Sequence, residues 1–249
     1  VRLTVVGCAG SFGGPVGATS CYLLEADGFK VVLDLGSGAL GELAKHTDIY
    51  DGVDAVILSH LHPDHCIDMC GYYVARNYRP EGPPKRLPVW GPVDTPSRMA
   101  AAYGLPEDPG MTGPFDFRTL RPGAIFEVGP LRVTVDRTVH PIEAYGMRIE
   151  HDGKVFTYSG DSGLCENLVK LARHADLFLC EASFQEGRDF APEVHLTGKQ
   201  AAEHAERADT RRLLITHIPP WNDPAVTLAE AIDFPGRVDL ACPGAGYEI

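Results

Sequence analysis

His60-Leu61-His62-Pro63-Asp64-His65, entered from the apolar run Ala55-Val56-Ile57-Leu58, is the stretch that decides how this chain is read. Three imidazoles and one carboxylate fall within six residues at the end of a strand-like segment. Neutral imidazole and carboxylate are good ligands for zinc and neighbouring transition metals. Side chains two apart leave an extended segment on the same side, so His60 and His62 can face one ion. An H-x-H pair is common by chance. H-x-H-x-D-H directly after a strand is rare, and it reads as a metal-binding turn rather than a His-rich polar turn.

Elsewhere in the chain, three more residues could complete such a site. His140 ends the run Leu131 to Val139, which alternates apolar and polar residues as a half-buried strand does. Asp161 lies in Ser159-Gly160-Asp161-Ser162-Gly163, just after Val155-Phe156-Thr157-Tyr158, and His217 closes Leu213-Leu214-Ile215-Thr216. Each alone is an ordinary turn or cap residue. As a set, all at strand exits where loops gather on one edge of a layered fold, they read as ligands.

Composition bounds the rest. The 249 residues suffice for one large core or two fused halves, and 44% are hydrophobic. No uninterrupted apolar stretch approaches the roughly 18 residues of a membrane span. The start enters a strand at once, Leu3-Thr4-Val5-Val6, and so reads as having no secretory signal. Seven cysteines, odd in number and with no C-x-x-C pair, argue against a disulfide scaffold or structural zinc site. Cys66 and Cys70, four apart, read as helix packing. The expected compartment is a reducing cytoplasm. Acidic residues outnumber basic ones 34 to 22, and the net charge of −12 repels polyanions. The densest basic segment, Arg76, Arg79, Lys85 and Arg86, is broken by Glu81 and prolines.

Periodicity and turn residues divide the chain into two similar halves, 1–123 and 124–249, of one domain. Strands are expected near 2–7, 20–26, 29–34, 53–58 and 88–91, then 124–128, 131–139, 145–150, 154–158, 176–180, 212–216 and 237–241. Helices are expected near 38–46, 64–78, 95–103, 164–174, 197–208 and 225–233. Gly104 to Gly123, with four prolines and four glycines, reads as an irregular connection. Two strand-rich halves with amphipathic helices suggest an α/β fold of two face-to-face sheets with helices outside.

The chain resembles the metallo-β-lactamase superfamily, in its phosphodiesterase and ribonuclease Z branch. The resemblance runs from Gly7-Cys8-Ala9-Gly10-Ser11 through Asp34-Leu35-Gly36 to the last strand. It implies a four-layer αββα sandwich with two divalent metals at one edge, zinc by default, with manganese or iron as alternatives. His60, His62 and His140 would hold one ion, Asp64, His65 and His217 the second, and Asp161 would bridge them. An Asp at the bridge, and Asp64-His65 where other branches carry Cys, argue against antibiotic hydrolysis. Two metals about 3.5–4 Å apart would yield hydroxide near neutral pH and neutralise charge on a phosphoryl oxygen. Asp64 would also orient, or take a proton from, the attacking water.

The leaving oxygen needs a proton. Asp176 to Glu181 reads as a buried strand ending in a carboxylate, and His195-Leu196-Thr197 follows. By resemblance Glu181 orients His195, which protonates the leaving group. Thr197 has a structural job as well, as N-cap of a helix over Gly198 to Ala208.

Substrate class follows from what is present and absent. The protruding arm of ribonuclease Z has no counterpart between His140 and Asp161, and His217 continues into Ile218-Pro219-Pro220-Trp221. With the negative charge, this argues against a large tRNA footprint. The patterns G-C-x-G-S, S-H-L-H-x-D-H, S-G-D-x-G, F-L-C-E-A-S, H-L-[ST]-G and T-H-I-P-P-W resemble bacterial atypical class II cyclic-AMP phosphodiesterases. A small phosphodiester substrate, a 3′,5′-cyclic nucleotide, is therefore expected. The alternatives are a tRNA 3′-processing nuclease, a hydrolase of another ester, and a metal-bearing module without catalysis. A homodimer is common among relatives. Gly7, Gly10, Gly13 and Gly14 flank a turn that could approach a phosphate, although tight packing is the plainer reading. Trp221 and Tyr73 could stack a base, but their settings read as core. His46, His151, His174 and His204 read as solvated surface.

Overall fold

A computed structural model describes residues 1–82 and 84–249. The N-terminal strands are β1 (Arg2–Gly7), β2 (Cys21–Ala26), β3 (Phe29–Leu33), β4 (Ala55–Ile57), β5 (Leu87–Gly91) and β6 (Phe115–Thr119). The later ones are β7 (Ile125–Val128), β8 (Leu131–Arg137), β9 (Tyr145–His151), β10 (Lys154–Tyr158), β11 (Leu177–Glu181), β12 (Arg212–Thr216), β13 (Arg237–Leu240) and β14 (Gly246–Glu248). They form two seven-stranded sheets, ordered β14-β1-β2-β3-β4-β5-β6 and β13-β12-β11-β10-β9-β8-β7. Inward side chains of both sheets, among them Leu3, Tyr22, Leu33, Ile57, Val133, Met147, Tyr158 and Leu179, make the central core. The outer faces are covered by helices α1 (Ala39–Leu43), α2 (Pro63–Cys66), α3 (Met69–Asn77) and α4 (Thr95–Tyr103) on one side, and α5 (Glu166–Leu171), α6 (Gly198–Arg207) and α7 (Pro224–Glu230) on the other. This is the four-layer αββα sandwich.

Several elements depart from the expected pattern. Residues 115–119 form β6 and extend the first sheet in parallel with β5, although prolines and glycines flank them. β14 leaves the C-terminal half and pairs antiparallel with β1, Leu3 opposite Tyr247. The helix expected over 64–78 is broken at Ile67-Asp68. The break has a cause: Leu35 N donates to the His65 carbonyl (2.8 Å) and Asp68 N to the Leu35 carbonyl (3.1 Å). Those bonds replace helical ones and clamp the His-rich turn onto the end of β3. Residues 38–46 hold only a short helix, and β8 ends at Arg137, so His140 stands in the loop beyond it.

Strand direction places the site. β10, β11, β12 and β13 are parallel, and β8 runs the same way because β9 is antiparallel to both β8 and β10. In the first sheet β3, β4, β5 and β6 are parallel. The C-terminal ends of β3, β4, β8, β10, β11 and β12 meet at one edge. The sheets are tied there by Tyr145 N to the Ser59 carbonyl (3.0 Å), Tyr158 Oη to Asp34 Oδ2 (2.7 Å) and Tyr22 Oη with Thr216 Oγ1 (2.6 Å).

Candidate dimetal centre

All seven ligand candidates converge at that edge. His60, His62, His140 and Asp161 form one cluster and Asp64, His65, Asp161 and His217 a second; in each, the ligand atoms lie within 4.8 Å of one another. Asp161 belongs to both. His60 Nε2 stands 3.2 Å from His62 Nδ1, which stands 3.0 Å from His140 Nε2. In the second cluster His65 Nε2 is 3.0 Å from His217 Nε2, which is 3.1 Å from Asp64 Oδ2.

The far side of each ring explains which nitrogen is left open. His65 Nδ1 donates to Asp34 Oδ2 (2.7 Å) and His140 Nδ1 to the Val194 carbonyl (2.9 Å). Ser59 Oγ gives its proton to Asp34 Oδ2 (2.7 Å), leaving its lone pair for His60 Nδ1 (3.0 Å). Ser183 Oγ likewise donates to the His217 carbonyl (2.7 Å) and accepts from His217 Nδ1 (2.7 Å). Nδ1 of four imidazoles is thus committed, which turns each Nε2 inward, the arrangement that orients metal-ligating histidines. Asp161 Oδ1 is the matching observation. It is buried, 3.1 Å from His65 Nε2 and 3.5 Å from His217 Nε2, yet among the described residues no group meets it with hydrogen-bond geometry. An orphaned buried carboxylate oxygen facing converging lone pairs fits a pair of cations.

Electrostatics set His65 apart from the other ligand candidates. Burial, aided by the neighbouring His65 charge, pushes His60 well below the ordinary histidine range, and burial likewise lowers His62 and His140. Burial also opposes charge on His65, but the carboxylates of Asp161 and Asp34 outweigh it and hold the ring well above that range. Asp161 is held well below the carboxylate range against burial by the charges of His217, His65 and His60. Asp64, also against burial, is lowered by its hydrogen bond with His217 and the charge of His65. Ionised carboxylates and neutral imidazoles are the states that bind metal, so the two Asp and His60, His62 and His140 match them. His65, held charged by two carboxylates, would release its Nε2 proton as an ion takes its place.

Glu181 and His195 adjoin the clusters. Glu181 is fully buried at the end of β11; its Oε1 accepts from Ser162 N (3.0 Å) and His195 Nδ1 (2.8 Å), its Oε2 from Ser183 N (3.0 Å). Burial works against a charged His195, but Glu181 prevails and raises it to about 9. The His195 ring lies 5.5 Å, centroid to centroid, from those of His140 and His217. Thr197 caps α6 through a capping box with Gln200.

Sequence reasoning missed the supports. Asp34, fully buried, accepts from Ser59 N (2.6 Å), Ser59 Oγ, His65 Nδ1 and Tyr158 Oη. Its signal was available: an Asp closing an apolar strand just before a glycine. Ser183 had none. Two expectations need correction. His204 is buried, taking Cys165 N on Nε2 (3.1 Å) and giving Nδ1–H to the Gln200 carbonyl (2.7 Å), and His151 is half-buried. Trp221 is no core residue; it is 64% exposed, whereas Tyr73 is buried as expected.

Residues 30–218 match the family described as β-lactamase superfamily domain, and the chain belongs to it. The Mycobacterium leprae uncharacterized protein ML1173 is 44% identical over all of this chain and 89% of its own length. The probable metallo-hydrolase YhfI of Bacillus subtilis is 27% identical over the full length of both chains. The crystal structure of YhfI superposes with a TM-score of 0.87 at 29% identity, covering 99% of each chain. A ribonuclease Z of Mycolicibacterium gilvum is 28% identical over 90% of this chain and 86% of its own. Fold, family and ligand clusters together define a metal-dependent hydrolase of the metallo-β-lactamase superfamily. Among the described residues, no helix is long and apolar enough to cross a membrane.

Proposed function

We propose that this protein hydrolyses a small phosphodiester, a 3′,5′-cyclic nucleotide in the first instance. The observation that carries the reading is the Glu181–His195 pair. A site that only binds metal has no use for a histidine charged by a buried carboxylate and facing the ligand clusters. An ester with a poor leaving group does.

His60, His62 and His140 with Asp161 would hold one ion, and Asp64, His65 and His217 with the same Asp161 the other. Two divalent ions, zinc by this donor set, with manganese or iron also compatible, would neutralise phosphoryl charge and acidify a water. Asp64 contributes twice. Its carboxylate faces the second cluster, and Ser11 N, donating to Oδ2 (2.9 Å), holds the group where it would orient the attacking water. His195, protonated at neutral pH, delivers Nε2–H to the departing alkoxide, because Nδ1 is committed to Glu181. Glu181 in turn is fixed by the amides of Ser162 and Ser183, so the donor ring cannot swing away.

Ribonuclease Z chemistry is the second reading, favoured by the 28% identity to such an enzyme. Against it stand the net charge of −12 and the tight β9–β10 hairpin at Asp152-Gly153 between His140 and Asp161. The decisive assay offers metal-analysed protein 3′,5′-cyclic AMP, bis-p-nitrophenyl phosphate and a precursor tRNA, with Asp64→Ala as control. Cyclic-nucleotide turnover that the variant loses is expected. Cleavage of the model diester alone would retain the phosphodiesterase and discard the nucleotide. Processing of the tRNA would make the second reading the right one.

A further inference from the structure

We propose that Phe12 and Trp221 form a stacking subsite for a planar base, placed beside the cluster of Asp64, His65, Asp161 and His217. The inference rests on the phosphodiester reading and names the group its substrate carries outside the cleaved bond.

The two rings pair with centroids 4.8 Å apart and planes inclined by 41°, and both stay open to solvent, Phe12 at 42% and Trp221 at 64% exposure. Apolar side chains exposed singly are ordinary on a protein surface, whereas contiguous exposed patches more often mark binding sites. What sets this pair apart is that its backbone is bound to metal-ligand candidates on both sides. Ser11 N donates to Asp64 Oδ2, and the Phe12 Cα lies one residue, about 3.8 Å, further on. Trp221 follows His217 through Ile218-Pro219-Pro220, and the two segments are laced by His217 N to the Cys8 carbonyl (3.0 Å) and Gly10 N to the Ile218 carbonyl (3.1 Å).

Glycine makes this contact possible. A Cβ on Gly10 would fall 2.3 Å from the His217 carbonyl oxygen, and one on Gly14 would fall 2.7 Å from Pro220 Cγ. Only a bare backbone lets the 10–14 loop lie flat on 217–220, and that close approach brings Phe12 against Trp221. The far side is pinned too. Asn222 is buried, and its Nδ2 donates to the carbonyl of Ser183, the residue whose hydroxyl holds His217. The aromatic surface is therefore pre-positioned relative to the ligand cluster, which reduces the ordering cost of binding.

Charge selects the occupant. The acidic chain disfavours a long polyanion, whereas a single base attached to one phosphodiester adds a π-face and no further charge. Aromatic faces stack any base with little sequence preference, so the subsite would fix the nucleoside without choosing among bases.

Trp221 is the exposed one of the two tryptophans, Trp90 being buried, so its fluorescence reports on the subsite directly. The metallated protein is titrated with adenosine 5′-monophosphate and, separately, with ribose 5-phosphate, which lacks the base. Quenching by the nucleotide alone is expected. Trp221→Ala removes the reporter itself, so its affinity is read by calorimetry: Kd for the nucleotide, and KM for cyclic AMP, should rise about 5- to 100-fold, with the loss falling on KM rather than kcat. Trp221→Phe should recover most of it, and Phe12→Ala should give a smaller loss. Unchanged nucleotide affinity in Trp221→Ala would overturn the subsite. So would a dimer that Trp221→Ala dissociates without altering KM, since the pair would then be a subunit contact. Base-dependent quenching in a protein that cleaves no phosphodiester would support the subsite while sinking the reading of the reaction.

Discussion

Two buried aspartates flank the His65 ring and are built for opposite tasks. Asp34, at the end of β3, has every approach filled, by Ser59 N, Ser59 Oγ, His65 Nδ1 and Tyr158 Oη. Asp161, beyond β10, is equally buried but has an oxygen that no donor among the described residues completes. Burial and residue type are the same; the satisfaction of lone pairs differs. A carboxylate with all its bonds made fits a support, and one left open among imidazole nitrogens fits a metal ligand. The contrast also explains why His65 has one nitrogen toward each: Asp34 fixes Nδ1, and in the proposed site Asp161 would share the ion with Nε2.

Variants can break this contrast. Asp161→Asn should be the most damaging, lowering diester turnover on the order of 10³-fold, since losing the bridge forfeits several kcal/mol of charge stabilisation. Elemental analysis should show fewer than two ions per chain; an active, fully metallated Asp161→Asn would make the open oxygen irrelevant. His195→Ala should cost about 10²-fold with an alkoxide leaving group and little with p-nitrophenoxide, which departs without a proton. Equal losses on both would remove the proton-donor role. Asp34→Asn should act through the ligand, weakening metal affinity about 10- to 100-fold. It should also destabilise the fold by about 2 kcal/mol, because an amide turned toward four donors leaves some unpaired. Metal affinity equal to the wild type would refute its supporting role.

The smallest effect lies away from the site. Burial lowers His204, whose Nε2 accepts from Cys165 N and whose Nδ1 donates to the Gln200 carbonyl. The unfolded chain therefore binds a proton near pH 6.5 that the folded chain refuses. This stability is fully present above about 6.5 and is lost as pH falls toward the lowered folded value. Thermal melts should show His204→Gln with a flatter acid limb than the wild type. Parallel limbs would mean His204 titrates alike in both states.

How much could be read beforehand follows the same division between chemistry and support. The clusters were legible because metal binding demands particular residue types, and β4, β8, β10 and β12 announce themselves by apolar pattern just before His60, His140, Asp161 and His217. The supports carry no such restriction. Ser183 and Asp34 resemble any turn residue until the fold brings His217 and His65 to them. His204 could have been read more closely: it falls in the buried α6 stripe of Ala201, Ala205 and Ala208. β14 is only three residues long and pairs with β1 from the opposite end of the chain, so periodicity could not reveal it. Trp221 misled for another reason. A tryptophan beside a Pro-Pro turn usually packs inward, and here the glycine loop brings Phe12 to it at the surface instead.

The central claim is a two-ion phosphodiesterase site sharing Asp161. The most direct test is the rate of 3′,5′-cyclic AMP hydrolysis measured against metal content as metal-free protein is reloaded with zinc. A rate that rises with loading and saturates at two ions per chain, with Asp161→Asn failing to reach that level, is the expected result. Protein carrying two ions per chain that leaves the cyclic nucleotide intact would contradict it.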